Sequence, residues 1–253
     1  MPVRGRRAHL RYGCAVTLTG RVHVVAGGTG RAGTVVVQEL IARGAVVAVP
    51  SRNPARLTRL EGKIKSDRLH GYVGDISDLS DASRLRFLMA DDLGPIDAVV
   101  ASLGEWWEGS PLLSLDPAVW QRIISDNLTS HFMVARAFLP ALVDRADSVY
   151  LTLGGIASVL AVAGSGPISV TGAAQAMLMR VLAAEAEGKA VRLHEVDVYT
   201  PIVTEDWDGG EIEPGWLSGR DVGAFVADAL TPGFGGGLFL QIPEDTTFRR
   251  NEV

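Results

Sequence analysis

Three glycines, Gly27, Gly30 and Gly33, recur at three-residue intervals between two differently patterned runs. Before them, RVHVVAG (21–27) is β-branched and apolar, as a buried strand is. After them, AGTVVVQELIARG (32–44) carries helical spacing and a stop at Gly44. A strand, a glycine-rich turn and a helix in this order suit a dinucleotide. One glycine makes the turn, one lets the backbone approach a pyrophosphate, and one lets helix and strand pack closely. The helix start adds free N–H groups and the positive end of a dipole. Gly27, Thr29, Gly30, Arg31 and Gly33 are therefore candidate cofactor residues.

The rest of the chain repeats the alternation. AVVAV (45–49), LHGYV (69–73), IDAVVASLG (96–104), SVYLTL (148–153), AVRLHEVDVY (190–199) and GLFLQI (237–242) read as strands. Helical patterns stand between them, including 78–92, 116–138, 168–187 and 218–230. This spacing predicts an α/β fold with a parallel sheet, wound on both faces. Residues 1–20 read as a basic, flexible extension, and 21–253 as one Rossmann-type domain. Loops 105–115 and 200–217 read as irregular.

The end of the second strand reads PSRNPAR. An acidic residue is usual there when the ribose carries free hydroxyls. Arg52, with a hydrogen bond from Ser51, suits a 2′-phosphate instead, so NADP(H) is favoured over NAD(H).

The net charge is −5, and the first twenty residues contribute Arg4, Arg6, Arg7 and Arg11 without an acid. The remainder is more acidic still, which speaks against nucleic-acid binding. A lone cysteine, Cys14, allows no internal disulfide and fits a cytoplasmic setting. From Ser148 to Met179 no residue is charged, but glycines and Pro167 interrupt the run, so no membrane span is expected. No His, Cys and acid pattern suggests a metal. Trp106, Trp107, Trp207 and Trp216 fall in the two loops and suit either a lid over an apolar small-molecule ligand or closure of the core edge.

With these motifs the chain resembles the short-chain dehydrogenase/reductase family from about residue 21 to 242. Gly27-x-x-Gly30-x-x-Gly33 is similar to its glycine motif. Gly74-Asp75-Ile76 is similar to its adenine-contacting segment, and Ala101-Ser102-Leu103-Gly104 stands where Asn-Asn-Ala-Gly is usual. Asn127 matches the family's active-site Asn, and VYTPIVT (198–204) loosely matches its segment near the nicotinamide. The resemblance implies strand order 3-2-1-4-5-6-7. It adds Asp75, Ile76, Ala101, Ser102, Gly104, Ile202 and Thr204 as cofactor residues. It also implies a homodimer or homotetramer built on helices 116–138 and 168–187.

The family's chemistry uses Ser, Tyr and Lys. The matching positions here hold Gly155, Ile168 and Gly172. A shifted register does not restore them. Four residues after Tyr12, Tyr72, Tyr150 and Tyr199 come Val16, Ile76, Gly154 and Val203, so no Tyr-x-x-x-Lys exists in the chain. A positioned acid or base contributes about 10²–10⁴-fold. Ser169 and Thr171 lie nearby but have no evident base, and their expected role is capping or packing. Asn127, Glu105, His131 and Asp197 remain as candidate replacements. Three readings stay open: an NADP(H)-binding protein without the usual carbonyl chemistry, an oxidoreductase with a nonstandard proton donor, or non-redox chemistry in the same pocket.

Overall fold

A computed structural model describes residues 17–243. The arginines of the N-terminal extension and Cys14 lie outside the described residues, as do 244–253. Leu18 belongs to the folded body: it is fully buried, and its N–H donates to the Arg43 carbonyl at 2.9 Å.

The chain runs β1 (Val22–Ala26), α1 (Arg31–Ala42), β2 (Val46–Ser51), α2 (Pro54–Ile64), β3 (Leu69–Val73), α3 (Leu79–Leu93) and β4 (Ile96–Ala101). Then follow α4 (Pro117–Ile124), α5 (Ser130–Phe138), β5 (Val149–Gly155), α6 (Gly166–Glu185) and β6 (Arg192–Val198). Two short strands, β7 (Ile202–Val203) and β8 (Leu217–Ser218), precede α7 (Gly219–Ala229) and β9 (Phe239–Ile242).

Seven strands form one parallel sheet in the order β3-β2-β1-β4-β5-β6-β9. The spatial order is the expected one. The closing strand is the ninth in sequence because the loop at 200–217 contains the β7–β8 pair, in register Ile202↔Leu217. Local chemistry sets the helix starts. Asn53 Oδ1 accepts from the Ala55 and Arg56 N–H groups ahead of α2, with Pro54 in its first turn. Ser218 and Asp221 cap α7 reciprocally.

The alternating strand residues divide the core. Val25, Val47, Val49, Val100, Leu151 and Val196 pack with α1, α2 and α7. Val24, Ala48, Val99 and Tyr150 face α3, α5 and α6, meeting Leu85, Met89, Phe138 and Met179. The sheet is therefore covered on both faces, and the C-terminal strand edge is where loops can build a site.

One expected element differs. The helical pattern 116–138 is two helices, with a wide π-turn at Ser125–Thr129 between them. Such turns insert a residue into the helix and re-aim a side chain. Here the turn carries Asn127, and that side chain reaches the backbone after β4.

Candidate functional site

The glycine loop closes tightly at the end of β1. A Cβ on Gly27, whose φ is +81°, would overlap the Ser102 carbonyl oxygen, and one on Gly33 would overlap the Gly27 carbonyl. No side chain fits either place, so the backbone of the loop, of α1 and of the β4 end is exposed to whatever binds there. Helix α1 starts at Gly30 with no side-chain cap and no acid in its first turn. Its free N–H groups and dipole suit a phosphate. At the other side of the site Thr204 Oγ1 is buried and has no hydrogen-bond partner among the described residues. An orphaned hydroxyl at a predicted cofactor position is what a bound ligand would satisfy. These features fit a dinucleotide.

The remaining predicted cofactor residues fall along the same strand edge. Arg52 leaves the end of β2 with its side chain two-thirds exposed, and it faces Asp75 Oδ2 at 3.8 Å. Ser51 Oγ is engaged with the backbone of Asn53, accepting at 3.2 Å. Asp75 Oδ1 accepts from the Ser77 N–H at 2.9 Å, which orders the turn after β3. Ile76 is buried below that turn. Ala101 is buried in β4, and the Ser102 N–H donates to the Ala26 carbonyl at 2.9 Å, tying the two strand ends together. Ile202 begins the short strand β7, two residues before Thr204.

Arg31 takes a direction that the spacing did not indicate. It donates to Asp208 at 2.9 Å and lies over the Trp207 ring. Trp207 meets Trp216 edge to face at 5.5 Å. Lys63 on α2 pairs with Glu205 and Asp206, at 3.3 and 3.2 Å. The Asp206 bond, with help from Glu205, raises the Lys63 pKa. The segment after β7 is thus strapped across the α1–α2 side by charge.

Gly155, Ile168 and Gly172 meet three different surroundings. Gly155 is open: a Cβ would find only the Val198 carbonyl at 3.5 Å. Ile168 is 8% exposed and packs with Ile123 and Ala157, under Trp107 and Val162. Gly172 presses on the turn after β5; a Cβ there would lie 3.1 Å from both Cα and N of Ser158. Ile168 is therefore enclosed by an apolar cluster, and Gly172 abuts the backbone of the turn after β5.

The candidate replacements separate by their contacts. Asn127 donates to the Glu105 carbonyl at 2.8 Å and accepts from the Glu105 N–H at 3.3 Å, so both ends of its amide hold the loop. Gly104, at φ +92°, leaves room for that amide. The Glu105 carboxylate pairs with Arg122. His131 is buried against the Leu103 carbonyl, and burial lowers its pKa to about 4. Ser169 holds the 160–162 turn, accepting from Val162 N–H and donating to Leu160 O, both at 3.1 Å. Thr171 donates to Pro167 O at 2.9 Å. Trp107 covers Ile168, while Trp106 remains exposed.

Asp197 is different. It lies at the C-terminal end of β6, 1% exposed, and accepts from Ser158 Oγ at 3.4 Å. A Cβ on the neighbouring Gly154 would overlap Asp197 Oδ1 and come within 3.1 Å of Glu195 Oε1. Glu195 in turn accepts from Thr152 at 3.3 Å and from Gln175 at 3.5 Å. Ser158 escaped the sequence reading because it comes 39 residues before its acid, with no motif linking the two. Among the described residues no cluster of His, Cys and acidic groups is placed to hold a metal ion.

A doubly wound parallel sheet with a glycine phosphate loop after its first strand defines a Rossmann-type nucleotide-binding protein. The short chain dehydrogenase family model matches residues 21–205, and the chain belongs to that family. It is 29% identical over 140 residues to cis-2,3-dihydrobiphenyl-2,3-diol dehydrogenase of Pseudomonas putida, covering 54% of this chain and 50% of that relative. The match thus spans about half that enzyme's length. Nodulation protein G of Azospirillum brasilense is 26% identical over 179 residues, covering 70% of this chain and 72% of that protein. Among solved structures, a short-chain dehydrogenase/reductase from Brucella melitensis superimposes with a TM-score of 0.78 at 23% identity, over 90% of this chain and 97% of that one. An NADPH-bound short-chain oxidoreductase from Pseudomonas aeruginosa PAO1, described as containing an atypical catalytic center, gives a TM-score of 0.79 at 21% identity, over 89% and 96%.

Proposed function

We propose that this chain binds NADP(H) and does not carry out carbonyl chemistry through the family's Tyr–Lys pair. The loop of Gly27, Thr29, Gly30 and Gly33 would hold the pyrophosphate, with Arg31 beside it. Arg52 and Ser51 would meet the 2′-phosphate, and Asp75 and Ile76 the adenine. Ala101, Ser102, Gly104, Ile202 and Thr204 would border the nicotinamide half. Bound there, the nicotinamide supplies or accepts a hydride. The observation that carries this reading is the packing at α6: Ile168 is sealed into an apolar cluster, and Gly172 abuts Ser158.

The preference for the phosphorylated cofactor rests on Arg52, a planar cation at the strand end whose ion-pair partner among the described residues is Asp75, at 3.8 Å. Titration of tryptophan fluorescence with NADPH and NADH tests it. Arg52→Asp weakens NADPH at least tenfold and leaves NADH within about threefold, since one charge-assisted phosphate contact contributes about 1.5–3 kcal/mol. Equal losses for both cofactors overturn the preference.

An oxidoreductase with a nonstandard proton donor is the second reading. It is favoured by the Ser158–Asp197 contact and is in keeping with the atypical centre of the Pseudomonas aeruginosa relative in fold. The tryptophans around the site suit an apolar small-molecule ligand. We also propose a homodimer or homotetramer through segments 116–138 and 168–187, which are α4, α5 and α6, where Phe132, Val170, Met177 and Val181 are exposed. Helix α6 is long and apolar enough to cross a membrane by length and composition, yet it packs on β5 and β6, and we assign its exposed side to this interface.

A further inference from the structure

We infer that Ser158 and Asp197 form the proton-transfer pair of this site, with Ser158 as the hydroxyl that meets the substrate oxygen and Asp197 as the base behind it. This rests on the cofactor reading above. Four observations place the pair. Ser158 sits on the turn that follows β5 directly, its backbone against Gly172, the position from which the family's lysine would reach the cofactor. Its residue is only partly buried. Its hydroxyl donates to Asp197 Oδ1 at 3.4 Å, while Asp197 is 1% exposed and held at the end of β6. Gly154 and Gly155 put no side chain between this pair and the strand edge, and at Gly154 the carboxylate of Asp197 takes the place a Cβ would need. A hydroxyl becomes useful when a base stands behind it. Ser169 and Thr171 give their protons to backbone carbonyls, whereas Ser158 gives its proton to a carboxylate.

The step is a dehydrogenation. Bound NADP⁺ would supply the oxidant: the carbinol C–H bond of a secondary alcohol would break, its electron pair leaving as hydride to the cofactor. The carbinol O–H proton passes to Ser158 Oγ as the Ser158 proton passes to Asp197. The alcohol would give up two electrons to that cofactor and become a carbonyl, and the proton would end on Asp197. The reduction of a ketone runs through the same atoms in reverse. Ser158 is the catalytic residue, and Asp197 acts through it.

Two readouts test the pair. Infrared difference spectra of the free wild-type protein and D197N assign the Asp197 carboxylate band. S158A then shifts that band, because a hydrogen bond to the carboxylate is lost. Turnover of NADP⁺ with a panel of apolar secondary alcohols falls about 100-fold or more in both S158A and D197N. NADPH affinity stays within about twofold of wild type, because neither side chain is placed among the cofactor-holding groups. A carboxylate band unmoved in S158A overturns the pair. So does turnover within threefold of wild type in either variant, or a wild-type protein that binds NADPH and oxidises no alcohol in the panel. Failure of the wild type to bind NADPH at all is a different result: it removes the cofactor reading and the pair with it.

Discussion

The guanidinium of Arg31 donates to the carboxylate of Asp208 at 2.9 Å, across 177 residues of sequence. The cation at the start of α1 is thereby held by an acid from the segment between β7 and β8. A phosphate arriving at the glycine loop meets Arg31 already paired, and Asp208 is a competitor for it. Asp208→Asn therefore tightens NADPH binding. The pair is exposed, with side chains 50% and 79% accessible, so the gain is about 0.2–1 kcal/mol, or up to about fivefold. Fluorescence titration at low and high ionic strength checks this: the gain shrinks as salt screens the pair.

Placing a lysine at 172 does not bring in the family's chemistry. Gly172→Lys improves helix propensity by up to about 1 kcal/mol. It also forces a Cβ to within 3.1 Å of the Ser158 backbone, and overpacking of this kind costs about 1–3 kcal/mol. The net expectation is a loss of about 1 kcal/mol, or a fall of about 2–4 °C in Tm. Gly155→Ser, facing only the Val198 carbonyl at 3.5 Å, leaves Tm unchanged. The triple replacement at 155, 168 and 172 with Ser, Tyr and Lys gains no carbonyl reductase activity. A thermal melt and an NADPH oxidation assay decide both points.

Tyr150 is fully buried in β5, and its hydroxyl has no partner among the described residues. Burial raises its pKa and keeps it neutral. An unsatisfied buried hydroxyl costs about 1–3 kcal/mol. Tyr150→Phe keeps the ring and removes the cost, so the variant is more stable than wild type by about 1 kcal/mol. A urea midpoint shifted downward would falsify the placement of that hydroxyl.

Acid weakens the fold through two histidines. Burial is the main cause that lowers both His23 and His131 from 6.5 to about 4. Between these values the unfolded chain binds a proton at each site and the folded chain does not. Stability therefore rises with pH through this window. It is fully present above about pH 6.5 and falls steadily toward pH 4, by about 3 kcal/mol per histidine at the limit. Urea unfolding at pH 7.5 and pH 5 measures the slope, and His131→Gln lessens it.

The strand edge was legible because its signals are local. Gly27 and Gly33 announce themselves by spacing, and their backbones prove too close to Ser102 and Gly27 for any Cβ. Apolar strand runs alternating with helical patterns pointed to a parallel α/β sheet, while its strand order came from the family resemblance. What stayed hidden depends on partners far apart in sequence. Helical spacing continues unbroken through Asn127, so the π-turn there leaves no trace in the pattern. Arg31 reads as a phosphate ligand until Asp208 is brought to it. Asp197 was visible as an acid at a strand end, but the serine that gives it a role comes from the turn after β5.

The approach of Ser158 to Gly172 also ties two elements together. A Cβ at 172 would lie 3.1 Å from both the Cα and the N of Ser158, so any larger residue there asks the turn after β5 to give by a few tenths of an ångström. That same turn carries the Ser158 hydroxyl that donates to Asp197 on β6. A side chain gained on α6 at this point is therefore felt at the end of β6, and substitutions at 172 and 197 are not additive.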